Sequence, residues 1–141
     1  GVGISAVALP LRAQQLMPAQ DLRPLIRGVA GDLPPRPGRI RLTLPQLAEN
    51  GNSVPLVVSV ESPMTPPDHV TAIAIFNERN PERDVARFAL GPRSGLARVS
   101  MRIRLATSQR LVAVARTSDG AYWSDAIDVV VVLAACIEGE S

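Results

Sequence analysis

The sequence predicts an all-β fold, an antiparallel β-sandwich of about seven strands. Several short stretches alternate apolar and polar residues with a period of two, which is typical of half-buried strands. Turn signals rich in Gly, Pro, Asn and Asp separate these stretches at short spacing. The composition points the same way, because 13 prolines and 10 glycines in 141 residues disfavour long helices. Aromatic residues make up only 3%, so we expect an aliphatic core.

The first 37 residues are predicted to precede the sandwich. Residues 1–14 are apolar and rich in small side chains, which is typical of the back half of an export signal cleaved near Ala13. The alternative is an extra N-terminal strand, and the stretch is too short to span a bilayer. Residues 15–37 form a lead-in, in which residues 21–28 predict a short helix that Gly28 ends. Prolines 34, 35 and 37 are expected to break regular structure.

The sandwich itself is predicted to cover residues 38–133. The predicted strands are residues 39–44, 54–60, 70–76, 84–90, 97–105, 110–116 and 122–133. Residues 97–105 alternate most clearly, with Val99, Met101, Ile103 and Leu105 on one face and Arg98, Ser100, Arg102 and Arg104 on the other.

The last predicted strand has a different pattern. Residues 129–133 lack alternation, so we expect them to be buried on both sides, either by another subunit or by the chain's own core. Tyr122 and Trp123 are adjacent and therefore point in opposite directions. One is predicted to cover the core, and the other could line a contact surface.

Composition argues against several classes of function. The net charge is only +2, all 15 basic residues are arginines, and no dense basic patch with interleaved aromatics predicts nucleic-acid binding. One histidine, His69, and one cysteine do not make a zinc site, so we expect neither a metal nor a cofactor.

Residues 77–84 are interpreted as a solvated turn. The Arg98, Arg102 and Arg104 stripe is interpreted as a solvated sheet face, or as a contact for an acidic partner or small anions.

Cys136 is the candidate functional residue. It lies three residues beyond Leu133, so an extended segment carries its sulfur roughly 10 Å past the predicted strand. A single cysteine in an exported protein indicates a reactive thiol or an intermolecular bond. The alternative is that Cys136 is a small buried hydrophobic residue.

Several segments together resemble one known family. They are residues 44–51 (Leu-Pro-Gln-Leu-Ala-Glu-Asn-Gly), 62–65 (Ser-Pro-Met-Thr), 77–81 (Asn-Glu-Arg-Asn-Pro), 102–109 (Arg-Ile-Arg-Leu-Ala-Thr-Ser-Gln) and 118–120 (Ser-Asp-Gly). In this order, with a terminal cysteine, they resemble the SoxY family, the sulfur carriers of periplasmic thiosulfate oxidation. The resemblance covers about residues 38–136.

The resemblance implies a non-enzymatic carrier with an immunoglobulin-like fold. Cys136 would hold sulfur intermediates covalently, and a swinging arm would present them to sulfur-oxidising enzymes and cytochromes. The arm residues are Ala134, Ala135, Ile137, Glu138 and Gly139. The implied assembly is a heterodimer with a SoxZ-like subunit, and the implied location is the periplasm after export by the twin-arginine route. Independently of the resemblance, the valine-rich last strand predicts association with a partner or with a second copy of the chain. No nucleic acid, membrane or cofactor is implied.

The arm departs from the pattern of the family, which is typically Gly-Gly-Cys-Gly-Gly. Ala134 and Ala135 replace glycines and lose the freedom to adopt positive φ. Ile137 adds bulk beside the sulfur, and Glu138 and Glu140 place negative charge near a thiol that must react as thiolate. The arm therefore serves variant partners, or belongs to a relative with an altered or lost cargo role.

Overall fold

The computed structural model describes residues 19–133, and this part of the chain folds mainly into β-strands. It contains one α-helix, nine strands and a short 3₁₀ helix at Pro92–Ser94. The helix is α1 (Arg23–Ala30), and the strands are β1 (Arg36–Pro37), β2 (Ile40–Thr43), β3 (Leu47–Asn50), β4 (Val54–Val60), β5 (Val70–Asn77), β6 (Asp84–Ala89), β7 (Arg98–Ile103), β8 (Gln109–Thr117) and β9 (Tyr122–Leu133).

The strands form two sheets packed face to face. The larger sheet has the order β1-β9-β8-β5-β6, with β3 also paired to β9, and the smaller sheet has the order β2-β4-β7. The predicted fold class, an immunoglobulin-like β-sandwich of antiparallel sheets, is confirmed. Two pairings are parallel, because β1 and β3 both run alongside β9 in the same direction.

Two strands were missed by the sequence prediction. Prolines were expected to break regular structure around residues 34–37, yet Arg36 and Pro37 pair with β9. Proline is tolerated there because β1 lies at the edge of the sheet. Residues 45–53 were expected to connect two predicted strands, but Leu47–Asn50 form β3 and the turn begins at Gly51.

The main core lies between the sheets and is aliphatic, as predicted. Its fully buried side chains include Leu56, Val58, Ile73, Ile75 and Leu111. A second, smaller core lies on the outer face of the larger sheet, where Leu22, Ala74, Phe76, Val112 and Val114 are buried with partly buried side chains of α1. The helix therefore covers only part of this outer face.

The helix ends later than the sequence predicts. Gly28 was expected to stop it, but the helix continues to Ala30, and Gly31, with φ +81°, follows. Glycine suits this position because positive φ costs it no side-chain clash. At the start of the helix, Pro24 occupies the first turn, where its missing N–H costs no helical hydrogen bond.

The prediction that residues 129–133 are buried on both sides is wrong for the chain alone. Val129 is 1% exposed, whereas Val130 is 54% and Val132 is 67% exposed, so this part of β9 alternates like an ordinary strand. Trp123 packs against the main core, as predicted for one of the two aromatics, and Tyr122 packs against the second core. Among residues 19–133, no helix is both long enough and apolar enough to cross a membrane.

Candidate functional site

The end of β9 is the candidate functional site, because the segment that carries Cys136 follows it directly in the sequence. We call this end of the strand, residues 129–133, the mount. Along its first two thirds, β9 pairs antiparallel with β8, from Tyr122 opposite Arg116 to Val129 opposite Gln109. Because β8 begins at Gln109, no residue of β8 lies opposite β9 beyond Val129. A strand that loses its neighbour would fray unless other groups satisfy its backbone.

Two other segments satisfy that backbone. On one edge, β3 pairs in parallel, with Leu47 opposite Val130 and Asn50 opposite Leu133. The Val130 N–H donates to the carbonyl of Gln46 at 2.8 Å. The Val131 N–H donates to Oγ of Ser108 at 2.8 Å, where the missing extension of β8 would otherwise lie. The backbone of β9 is therefore held in place almost to Leu133.

A polar network holds the loop that supplies Ser108. Oδ1 of Asn80 accepts from the Ala106 N–H at 2.9 Å and from Nε2 of Gln109 at 2.7 Å, and its Nδ2 donates to the Arg104 carbonyl at 2.6 Å. Nε2 of Gln109 also donates to the Thr107 carbonyl at 2.9 Å, and Oε1 accepts from the Arg79 N–H at 3.0 Å. Asn80 thus joins the loop at residues 77–81 to the segment that leads into β8.

This network was not found by sequence reasoning, which took residues 77–84 for a solvated turn. Gln109 is only 5% exposed, so its amide needs the partners that Asn80 and the loop provide. The signal that could have found it is that Asn80 and Gln109 both lie within the family-like segments, Asn80 in the loop after one strand and Gln109 at the start of another.

An apolar strip lies exposed beside the mount. It consists of Leu47, Val130 and Val132, of which Leu47 is 57% exposed. Leu47 and Val130 are register partners, and Val132 follows two residues later on the same face. Three neighbouring aliphatic side chains left in water are more typical of a contact surface than of a free sheet face.

A cross-strand ion pair separates this strip from the part of the sheet that α1 covers. Arg110 and Asp128 are register partners, and Nε of Arg110 lies 3.0 Å from Oδ1 of Asp128. The hydrogen bond from Arg110 lowers the pKa of Asp128, and the same bond raises the pKa of Arg110. The two side chains are 54% and 71% exposed, so the pair adds little stability.

His69 lies away from the mount. It precedes Val70, which pairs with Thr117 at the far end of β8, whereas the mount lies beyond Gln109 at the near end. Its Nδ1 lies 3.0 Å from the Thr65 carbonyl and 3.1 Å from the Pro66 carbonyl, which assigns a local structural role to the ring.

The thiol itself lies outside the described residues. So do the predicted arm residues Ala134, Ala135, Ile137, Glu138 and Gly139. Within residues 19–133, no group of three or more His, Cys, Asp or Glu side chains is placed to hold a metal ion.

Comparisons with known proteins agree on the fold. The sulfur carrier protein SoxY from Chlorobium limicola f thiosulfatophilum has 32% sequence identity and a TM-score of 0.65, with 78% of this chain and 94% of that chain covered. A superoxide reductase from Ignicoccus hospitalis has 16% identity and a TM-score of 0.60, covering 68% and 82%. A putative superoxide reductase from Thermotoga maritima has 18% identity and a TM-score of 0.57, covering 65% and 84%. At such low identity, the two reductases share the fold alone. No curated protein sequence matches the chain.

Fold and site together define a β-sandwich protein whose last strand is secured on both edges near its end at Leu133. The family model described as sulfur oxidation protein SoxY matches residues 27–136, which is most of the chain and includes Cys136. The chain belongs to the SoxY family, and the resemblance of its sequence segments is confirmed.

Proposed function

We propose that this protein is a covalent carrier of sulfur intermediates, with Cys136 as the attachment point and residues 134–139 as the swinging arm. Membership of the SoxY family is the observation that carries the proposal. The geometry of the mount supports it, because β9 is held on both edges to within a few residues of the thiol. Because β9 is fixed near Leu133, the segment after it could present the thiol to several partner proteins while the sandwich stays folded.

Loading would join thiosulfate to the thiol by oxidation. The step is Cys–SH + S₂O₃²⁻ → Cys–S–S–SO₃⁻ + H⁺ + 2e⁻, in which one S–S bond forms and a partner enzyme passes both electrons to a c-type cytochrome. A hydrolytic partner would then release sulfate by Cys–S–S–SO₃⁻ + H₂O → Cys–S–SH + SO₄²⁻ + H⁺. The remaining sulfur would be oxidised by other proteins, so the carrier catalyses neither step.

The exposed apolar strip supports a permanent partner. Burying a Val or Leu side chain stabilises an interface by ~1.5–3 kcal/mol when the side chain starts fully exposed. Leu47, Val130 and Val132 are between half and two thirds exposed, so covering them would contribute roughly 3–5 kcal/mol in all. We assign this surface to a SoxZ-like subunit or to a second copy of the chain. The heterodimer would work in the periplasm, after export by the twin-arginine route.

A second function is favoured by the atypical arm. Ala134 and Ala135 have less backbone freedom than glycines, Ile137 adds a bulky side chain next to Cys136 in sequence, and Glu138 adds a negative charge that disfavours anionic thiosulfate. These departures from the Gly-Gly-Cys-Gly-Gly pattern suit an exported interaction module that assembles through the same apolar strip and carries no cargo.

Intact-mass analysis of the purified full-length chain decides between the two functions. After incubation with thiosulfate and a competent coupling enzyme, we expect a thiosulfonate adduct on the wild-type chain and none on Cys136→Ser. The matched arm variant Ala134→Gly/Ala135→Gly should load at least as fast as wild type. An unchanged wild-type mass, under conditions that load an established carrier, would exclude the carrier function and leave the interaction module.

A further inference from the structure

The outer face of the smaller sheet carries four exposed arginines without acidic partners. Arg41 on β2 and Arg98 on β7 lie on either side of Ser59 in the same cross-strand row. Arg102 lies beside Pro55 further along β7, and Arg104 follows the strand. We call these four arginines the basic face. The side chains between them are uncharged, among them Thr43, Val57 and Ser100.

Four arginines elsewhere in the described residues are paired with carboxylates. Ion pairs join Arg23 to Asp21, Arg39 to Asp68, Arg87 to Asp84 and Arg110 to Asp128. Within residues 19–133, no carboxylate lies within ion-pair distance of any arginine of the basic face, and Glu61, which follows β4, forms no ion pair. Arg102 donates one hydrogen bond, from Nη1 to Oγ of Ser53 at 3.1 Å.

The spacing of these charges selects the kind of ligand. Arg41 and Arg98 are two strands apart, about 10 Å, and Arg98 and Arg102 are four residues apart, about 13 Å. Together the four arginines spread positive charge over a wider area than one small anion covers. A protein surface with carboxylates at similar spacing can pair with each of them, and guanidinium groups bind carboxylates with two parallel hydrogen bonds. The face carries no aromatic side chains on which nucleic-acid bases could stack.

The basic face reaches the end of the sandwich where β9 finishes. Ser53, which accepts from Arg102, lies three residues after Asn50, and Asn50 is the register partner of Leu133. The Arg104 carbonyl accepts from Asn80 in the network that holds the mount. A protein bound to this face would therefore lie next to the root of the segment that carries Cys136.

We propose that the basic face is a docking surface for an acidic patch on the enzyme that loads Cys136. The inference rests on the proposed carrier function, because it assigns the partner from the position of the arm. Exposed arginines act mainly by steering the diffusing carrier toward an acidic surface of the enzyme, which raises the association rate about tenfold or more at low salt. Salt screens this attraction, so the association rate falls as ionic strength rises. Docking should therefore affect KM for the carrier, while kcat stays unchanged.

The test compares two charge reversals of equal size in the full-length chain. Arg41→Glu/Arg98→Glu changes the basic face, and Arg27→Glu/Arg93→Glu changes two arginines that are exposed elsewhere. Equal thermal stability of the two variants would show that both fold. We expect the first variant to raise KM for loading about tenfold at low salt and to flatten the rise of KM with salt, whereas the control behaves like wild type.

Binding to the loading enzyme, measured by titration calorimetry at low salt and at about 0.15 M ionic strength, gives a readout that does not need turnover. Binding that weakens with salt in wild type and control, but is already weak in Arg41→Glu/Arg98→Glu, supports the docking surface. Equal binding by both variants, or binding that salt does not affect, overturns it. In that event, loss of self-association in Arg41→Glu/Arg98→Glu would assign the face to a second copy of the chain.

The carrier function and the docking surface can be refuted independently of each other. A wild-type chain that binds the enzyme in a salt-dependent way but gains no adduct would exclude cargo chemistry and leave the docking surface. A chain that gains the adduct with a salt-independent KM would exclude the docking surface and leave the carrier function.

Discussion

Replacing Asn80 with alanine tests whether the polar network supports the end of β9. The change removes three hydrogen bonds, to the Ala106 N–H, to Nε2 of Gln109 and to the Arg104 carbonyl. Each bond contributes about 1 kcal/mol net, and the amide of Gln109, at 5% exposure, cannot turn to water for a replacement. We therefore expect the free energy of unfolding to fall by about 3 kcal/mol.

Urea denaturation measures this loss. With a slope of about 2 kcal/mol per molar urea, the midpoint should fall by about 1.5 M. The control is Asn50→Ala, the same substitution at an exposed position, which removes one bond from the Asn52 N–H to Oδ1 of Asn50 at 2.9 Å. It should cost no more than about 1 kcal/mol.

Amide hydrogen exchange adds a local readout. The Val131 N–H donates to Ser108, which lies on the loop that Asn80 holds, so its protection should drop in Asn80→Ala more than that of core amides in β5. The reasoning would be refuted if Asn80→Ala shifted the urea midpoint no more than Asn50→Ala and left Val131 fully protected.

Two further predictions concern association and acid titration. Val130→Asp/Val132→Asp should abolish binding to the partner subunit, or self-association, while changing the stability of the isolated chain by less than about 1 kcal/mol. Light scattering checks this, with Ala89→Asp at an exposed position of β6 as the control, and equal association by both variants would contradict it. The hydrogen bonds from Arg23 lower the pKa of Asp21 from 3.8 to about 2, so the contribution of this pair is present above pH 4 and is lost as pH falls through 2. Arg23→Gln should return the Asp21 titration, followed by NMR, toward 3.8; a midpoint that stays near 2 would show that another group lowers it.

The sequence predicted most of the sandwich because the strands that build its core carry strong local patterns. Val99, Met101 and Ile103 alternate with arginine and serine, and the structure places them inward as predicted. It could not predict β1 and β3, because their pairing with β9 uses backbone groups contributed from distant parts of the chain. Pro37 and Asn50 are poor strand residues, so only the partner strand makes them part of the sheet.

The site was predicted less completely, for a related reason. The pattern of Val129 to Val132 showed an apolar strand but not which side chains face water, since that depends on where β8 and α1 end. Asn80 and Gln109 are separated by 29 residues, and only the folded chain brings their amides together. The identity and placement of Cys136 as the attachment point stay a prediction.

The parallel pairing of β3 with β9 makes assembly of the sheet a non-local event. Leu47 and Val130 lie as far apart in sequence as Leu42 and Asp125, 83 residues, and must meet before the last strand is seated. Contacts of such long range form slowly, so we expect β3 to pair with β9 after the local hairpin of β8 and β9 has formed. The end of β9 that leads to Cys136 would then be held in place only after distant parts of the chain have met, so a fixed position for that segment depends on completed folding.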